Sequence, residues 1–216
     1  MKTIRNGLLG LGLGVASLLA QGCAAKAQVL TRDAFDTDFS AGPANANDKL
    51  KVSLRVFRAA ASGEDSDRPV VEGEALHNGD RVYVLVRANQ PAYLYMILFG
   101  TDGTTSTLFP SAQHQKIPAL CPLRIPGESE FYLSEPSGIE DLRIVASLKP
   151  LAELDQRMCE QLRLKCAPED QPKKPVTAPC YDASKQLARG IVRSVKTVSA
   201  DGNGIVLTRF PLRHDQ

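Results

Sequence analysis

Residues 79–99 read Gly79-Asp80-Arg81-Val82-Tyr83-Val84-Leu85-Val86-Arg87-Ala88-Asn89-Gln90-Pro91-Ala92-Tyr93-Leu94-Tyr95-Met96-Ile97-Leu98-Phe99. After the Asn78-Gly79-Asp80 turn, Val82, Val84 and Val86 recur at every second position, one face of a strand from Arg81 to Ala88. Gln90-Pro91-Ala92 makes a short connection into Tyr93–Phe99, the most apolar run of the chain outside its first residues and the expected central strand. Within that run Tyr93 and Tyr95 share one face, and Leu94 and Met96 the other. An open tyrosine face would bind a sugar, a peptide or a protein partner. The apolar character of the whole strand favours the core.

Upstream, Leu50, Val52, Leu54 and Val56 alternate with Lys51, Ser53 and Arg55, a half-buried strand. Gly63-Glu64-Asp65-Ser66-Asp67 reads as a solvated turn. Downstream, the Thr101-Asp102-Gly103 turn leads into a strand from Thr104 to Phe109, followed by short candidates at Leu123–Ile125, Glu130–Leu133 and Leu142–Leu148. A final hairpin is expected from Gly190–Ser199 and Gly204–Leu212 around Asp201-Gly202-Asn203-Gly204. Short strands separated by Gly, Pro and Asp turns, without βαβ alternation or internal repeat, indicate an all-β fold. The expectation is an antiparallel β-sandwich or barrel-like domain over residues 49–212, carrying a short helical insertion at 150–186.

The chain opens differently. Lys2 and Arg5 precede 14 apolar or small residues, Gly7 to Ala20, which is the pattern of a secretory signal over residues 1–22. As a helix that run spans roughly 21 Å, short of the about 30 Å of a bilayer core. Leu19-Ala20-Gln21-Gly22-Cys23 resembles the bacterial lipobox, whose cysteine is acylated and becomes the new N-terminus, although Ala20 stands where leucine is usual. Two or three acyl chains on Cys23 give stable membrane attachment where one is marginal. Ala25-Lys26-Ala27 offers the alternative, cleavage after Ala27 and a soluble secreted or periplasmic product. Ala24 in place of the aspartate that retains many lipoproteins at the inner membrane points to the outer membrane of a Gram-negative bacterium. Residues 23–48, rich in Ala, Asp, Asn and Gly without an apolar period, read as a flexible tether.

Of the 216 residues, 26 are Lys or Arg and 24 Asp or Glu; losing Lys2 and Arg5 leaves 24 against 24. A balanced chain has no field to draw in nucleic acid. The expected partners are therefore the membrane, through the anchor at Cys23, and an envelope protein or glycan.

With Cys23 set aside, Cys121, Cys159, Cys166 and Cys180 remain, an even number that reads as two disulfides in an exported chain. No C-x₂₋₄-C pair supports a metal, and no C-x-x-C a redox site. Residues 150–166 read as a helix with Pro150 in its first turn and Leu151, Leu154, Met158, Leu162 and Cys166 on one stripe. On such a helix Cys159 and Cys166 stand about 10.5 Å apart along the axis, beyond disulfide reach. The expectation is that one bonds Cys121 and the other Cys180, stapling the insertion to the body.

Gly79-Asp80-Arg81-Val82, Ala92-Tyr93-Leu94-Tyr95, Asp102-Gly103 and Leu108-Phe109-Pro110, continued by Ile125-Pro126, Phe131, Pro136-Ser137-Gly138-Ile139-Glu140 and Ile144-Val145-Ala146-Ser147, together resemble the bacterial family called domain of unknown function 4384. The resemblance covers about a third of the chain and implies a small β-rich module. In other chains that module is often attached to protein kinases, caspase-like peptidases or repeat domains, none of which occurs in this sequence.

No catalytic set emerges. There is no G-x-S-x-G, and His77, His114 and His214 occupy turn-like or terminal positions expected at the surface. Asp201–Gly204 lacks the further ligands of a calcium loop, and no glycine-rich loop joins a strand to a helix, so no cofactor is expected. The functional expectation is a non-catalytic binding or assembly module of the cell envelope. The alternatives are a ligand sensor reporting to a separate signalling protein, or a small envelope hydrolase.

Overall fold

The computed structural model describes residues 48–61, 66–112, 115–164, 176–181, 196–201 and 204–215. The strands are β1 (Lys51–Arg58), β2 (Arg68–Pro69), β3 (Ala75–His77), β4 (Arg81–Ala88), β5 (Ala92–Phe99), β6 (Thr105–Phe109), β7 (Gln115–Ile117) and β8 (Leu123–Ile125). They continue with β9 (Phe131–Tyr132), β10 (Gly138–Ser147), β11 (Val176–Thr177), β12 (Lys196–Ser199) and β13 (Ile205–Asp215), and helix α1 (Ala152–Gln161) follows β10. One sheet runs β12-β1-β4-β8, with β2 on β1 and β9 on β4. The other runs β11-β7-β5-β10-β13-β3, with β6 on β5. All pairings are antiparallel except β11–β7 and β13–β3.

The two-residue period decides which side chains meet between the sheets. Val52, Leu54 and Val56 of β1 and Val82, Val84, Val86 and Ala88 of β4 face Leu94 and Met96 of β5, Leu142, Ile144 and Ala146 of β10, and Val206, Phe210 and Leu212 of β13 in one buried cluster. The register agrees, with Val52 opposite Ala88, Leu54 opposite Val86 and Val56 opposite Val84. β5 lies inside its sheet, flanked by β7 and β10, as its continuous apolar run requires. This is the all-β sandwich that the alternation indicates.

Three features differ from the sequence expectation. First, β1 is buried on both faces. Ser53 and Arg55, on the face expected to be wet, are fully sealed, and beside them Phe57, Ala59, Tyr83 and Leu85 form a second apolar cluster that Tyr181 packs against. The Phe57 and Tyr83 rings stack at 5.1 Å, and the Tyr83 hydroxyl donates to Asp67 Oδ2 at 2.9 Å. Second, the Asp201–Gly204 turn does not close a hairpin. Its turn bonds form, with Asp201 N–H donating to Ile205 O at 3.0 Å and Gly204 N–H to Asp201 O at 3.2 Å. The strands it joins then part, β12 to β1 in one sheet and β13 to β10 in the other. Third, α1 stops at Gln161, and Arg163 takes a left-handed conformation at φ 53°, so the helix does not run on to Cys166.

Candidate functional site

The open side of the sandwich between β6, β7 and β8 holds a cavity of about 500 Å³. Leu108 and Phe109 from the end of β6 and Leu123 and Ile125 from β8 give it apolar walls. Both neighbouring turns begin with cis prolyl bonds, Phe109–Pro110 and Ile125–Pro126. A strap of residues 178–181 forms the remaining wall. It departs from β11, whose Val176 and Thr177 pair with Gln115 and Lys116. Ala178 N–H then donates to Lys116 O at 2.8 Å, and Tyr181 N–H to Pro122 O at 2.8 Å. The strap thus passes from the edge of one sheet to the edge of the other, and Cys180 bonds Cys121 across a Cα separation of 5.4 Å.

The polar groups around this cavity are few and distinct in role. Gln115, nearly sealed, accepts at Oε1 from Ser111 N–H at 3.1 Å and Ser111 Oγ at 3.3 Å. Its amide nitrogen donates to nothing among the described residues, which leaves a donor for a ligand. Glu128 stands exposed at the rim. Arg124 is committed elsewhere: Nη1 donates to Gly127 O and Ser129 O, and Nη2 pairs with Glu130 Oε1 at 2.7 Å. Its guanidinium lies over the Tyr83 ring at 4.0 Å and 6.0 Å from the Tyr181 ring. That cation fixes the turn after β8 and is not offered to a ligand.

Tyr93 and Tyr95 do lie on the outer face of β5, yet neither forms a binding patch: both are buried. Leu151 N–H, at the start of α1, donates to the Tyr95 hydroxyl at 3.0 Å, and Gln161 Oε1 at the other end of α1 accepts from Thr107 N–H at 2.8 Å. The buried face of α1, Asp155, Met158 and Cys159, therefore covers this part of the sheet. Burial, with the Asp155 carboxylate beside it, pushes the Tyr95 hydroxyl well above its usual range and keeps it protonated. The Lys116 ammonium stands 4.8 Å from the centre of the Tyr93 ring.

The disulfides correct the expected pairing. Cys121 bonds Cys180, not a helix cysteine. Cys159 is itself in a disulfide whose partner lies outside the described residues, as do Cys166 and Cys23. The expectation assumed a helix through Cys166, and α1 ends five residues earlier.

The histidines do not converge. His77 is exposed at the end of β3 and His114 lies outside the described residues. His214 contradicts the surface expectation: it is fully buried on the inward face of β13, opposite Gly138. Its ring nitrogens and the Ser137 Oγ have no hydrogen-bond partner among the described residues, so they do not make a nucleophile–base pair with each other. Glu140 at this end is held above the usual carboxylate range by burial, a shift that His214 opposes and Asp102 reinforces. Among the described residues no group of three His, Cys, Asp or Glu is placed to hold a metal ion.

The cavity escapes sequence inspection because its walls come from residues 108 to 181, joined only by the fold. The one local hint is Pro-rich punctuation at Pro110, Pro122, Pro126 and Pro179.

No curated protein and no solved structure matches the chain. Residues 75–150, which carry β3 to β10 and all of the cavity except its strap, match the model of the family described as Domain of unknown function (DUF4384).

Proposed function

We propose that the chain is a non-catalytic cell-envelope lipoprotein whose β-domain binds ligand in the cavity beneath the 178–181 strap. The carrying observation is a cavity of about 500 Å³ with apolar walls and a donor, Gln115 Nε2, without a partner among the described residues. Binding sites for small ligands are built this way, with an apolar body and a few placed polar groups. The matching ligand has an aliphatic body and a hydrogen-bond acceptor, as in an aliphatic side chain next to a peptide carbonyl. Export is supported by the signal pattern before Cys23 and by the Cys121–Cys180 bond, since disulfides persist in oxidising compartments. No helix among the described residues is long and apolar enough to cross a membrane. Attachment in this reading is through acyl chains on Cys23, at the outer membrane.

The same cavity supports a second reading, a sensor that passes ligand occupancy to a separate signalling protein. Both require binding first. The test is a methyl NMR titration of the oxidised protein with N-acetyl-leucinamide. Shifts confined to Leu108, Leu123 and Ile125 are expected; no shift at these methyls, or equal shifts throughout the core, refutes the site. Replacing Cys23 by Ser abolishes incorporation of labelled fatty acid if the anchor reading holds. Labelling that persists, or that is absent from the parent protein, contradicts it.

A further inference from the structure

We propose that the outer face of β10 and β13 is a docking surface for an acidic, extended segment of a partner protein, with Arg143 and Arg209 clamping one of its carboxylates. This surface is separate from the cavity and does not depend on ligand binding there. Every second residue of the two strands points outward. Helix α1 covers the sheet at Tyr95, whereas on β10 and β13 Ile139 and Leu207 are 61% and 65% exposed. Arg143 and Arg209 are directly opposite in the register, a cross-strand pair of like charges that costs stability unless an anion bridges it. Asp141, its side chain 14% exposed, is that bridge: Oδ2 accepts from Arg143 Nε at 2.9 Å, and Oδ1 stands 3.2 Å from Arg209 Nε. The Nη groups of both arginines have no partner among the described residues. The Arg143 guanidinium lies over the Phe99 ring at 4.0 Å, which fixes its plane.

The remaining charges nearby are paired one to one. Arg213, further along the same face, bonds Asp215, and Lys196 at the edge of β13 bonds Glu72. Only Asp141 serves two cations, so a single positive charge is left over, at the Arg143–Arg209 pair. A monoanion with two coplanar oxygens fits it, because a carboxylate takes parallel hydrogen bonds from guanidinium Nη groups. Two places along β13 from Arg209, exposed Leu207 stands opposite Val145. Alternate side chains of an extended segment are also about 7 Å apart. An acidic residue over the arginines therefore sets an aliphatic residue two places away over Leu207. That spacing favours a protein segment over a free anion or a lipid headgroup, either of which leaves Leu207 bare.

An NMR titration of the oxidised protein tests it, with N-acetyl-Glu-Ala-Leu-amide, the same peptide with Gln in place of Glu, and phosphatidylglycerol vesicles as separate probes. The acidic peptide is expected to shift the Arg143 and Arg209 Nε–H signals and the Leu207 methyls, and to leave the cavity methyls of Leu108 and Ile125 in place. The Gln peptide is expected to bind at least about tenfold more weakly, having lost a charge-assisted contact. Arg209→Gln, at a side chain 64% exposed, is expected to weaken the acidic peptide to a similar degree while the β10 amide signals stay where they are. Equal binding of the two peptides to the parent protein overturns the proposal without recourse to any variant. Binding that is indifferent to Arg209→Gln, or shifts confined to the cavity methyls, also overturns it. Broadening of the arginine signals by the vesicles, with no shift from the acidic peptide, overturns it in favour of a membrane contact.

Discussion

Arg124 and Glu140 show opposite ways of burying charge. Arg124 has its guanidinium against two rings, with two carbonyls and the Glu130 carboxylate as acceptors. Arg124→Ala strands those acceptors and costs about 2–3 kcal/mol, read from urea unfolding. Arg124→Lys does not restore it, because an ammonium cannot lie flat between rings while bonding both carbonyls. Glu140 is held above its usual range chiefly by burial. Its folded value exceeds its unfolded one, so the folded state keeps the proton more tightly. Stability from this group is present below about pH 4 and is lost as pH rises through the raised value. Glu140→Gln therefore raises the melting temperature at neutral pH, by the equivalent of less than about 1 kcal/mol for a half-buried group, and leaves it unchanged at about pH 4. A gain at acid pH alone contradicts this. Neither environment is visible in sequence, since Arg124 reads as the wet middle of Leu123-Arg124-Ile125 and Glu140 as an ordinary exposed acid.

At the scale of elements, the long strands were legible, as were the short β8 at Leu123–Ile125 and β9 within Glu130–Leu133, whereas four other short strands were not. β4 spans the same residues that its valine alternation marks out, and β5 begins one residue before its apolar run. β2, β3, β7 and β11 have two or three residues each, too few to show a period. β10 starts four residues earlier than its apolar residues indicate, at Gly138. That position needs glycine: φ is +151°, and a Cβ would lie 2.4 Å from Thr101 Cγ2. Gly138→Ala is expected to cost about 1–3 kcal/mol in thermal unfolding, unless Thr101 is shortened as well, in which case part returns. For the cysteines, non-reducing peptide mapping yields a Cys121–Cys180 crosslink; a Cys121–Cys159 peptide contradicts the strap. The sequence-based pairing failed because helical periodicity continues to Cys166 while the backbone turns left-handed at Arg163.

For the whole molecule, what matters is how the sandwich is closed. The outer faces of the sandwich are covered, β5 by α1 and the β1–β4 face, whose alternation indicated solvent, by the cluster that Tyr181 packs against. The open side between β7 and β8 is bridged by the strap, and the cavity lies beneath it. Alternation along the chain revealed the sandwich but not the cavity, since no local pattern records that residues 108, 125 and 180 become neighbours. Closest to the central claim are intermolecular nuclear Overhauser contacts between N-acetyl-leucinamide and the oxidised protein. Contacts from the probe's methyls to Leu108 and Ile125, with the Gln115 side-chain amide shifting downfield, are the expected result. Contacts elsewhere, or none at saturating probe, contradict a binding role for this cavity.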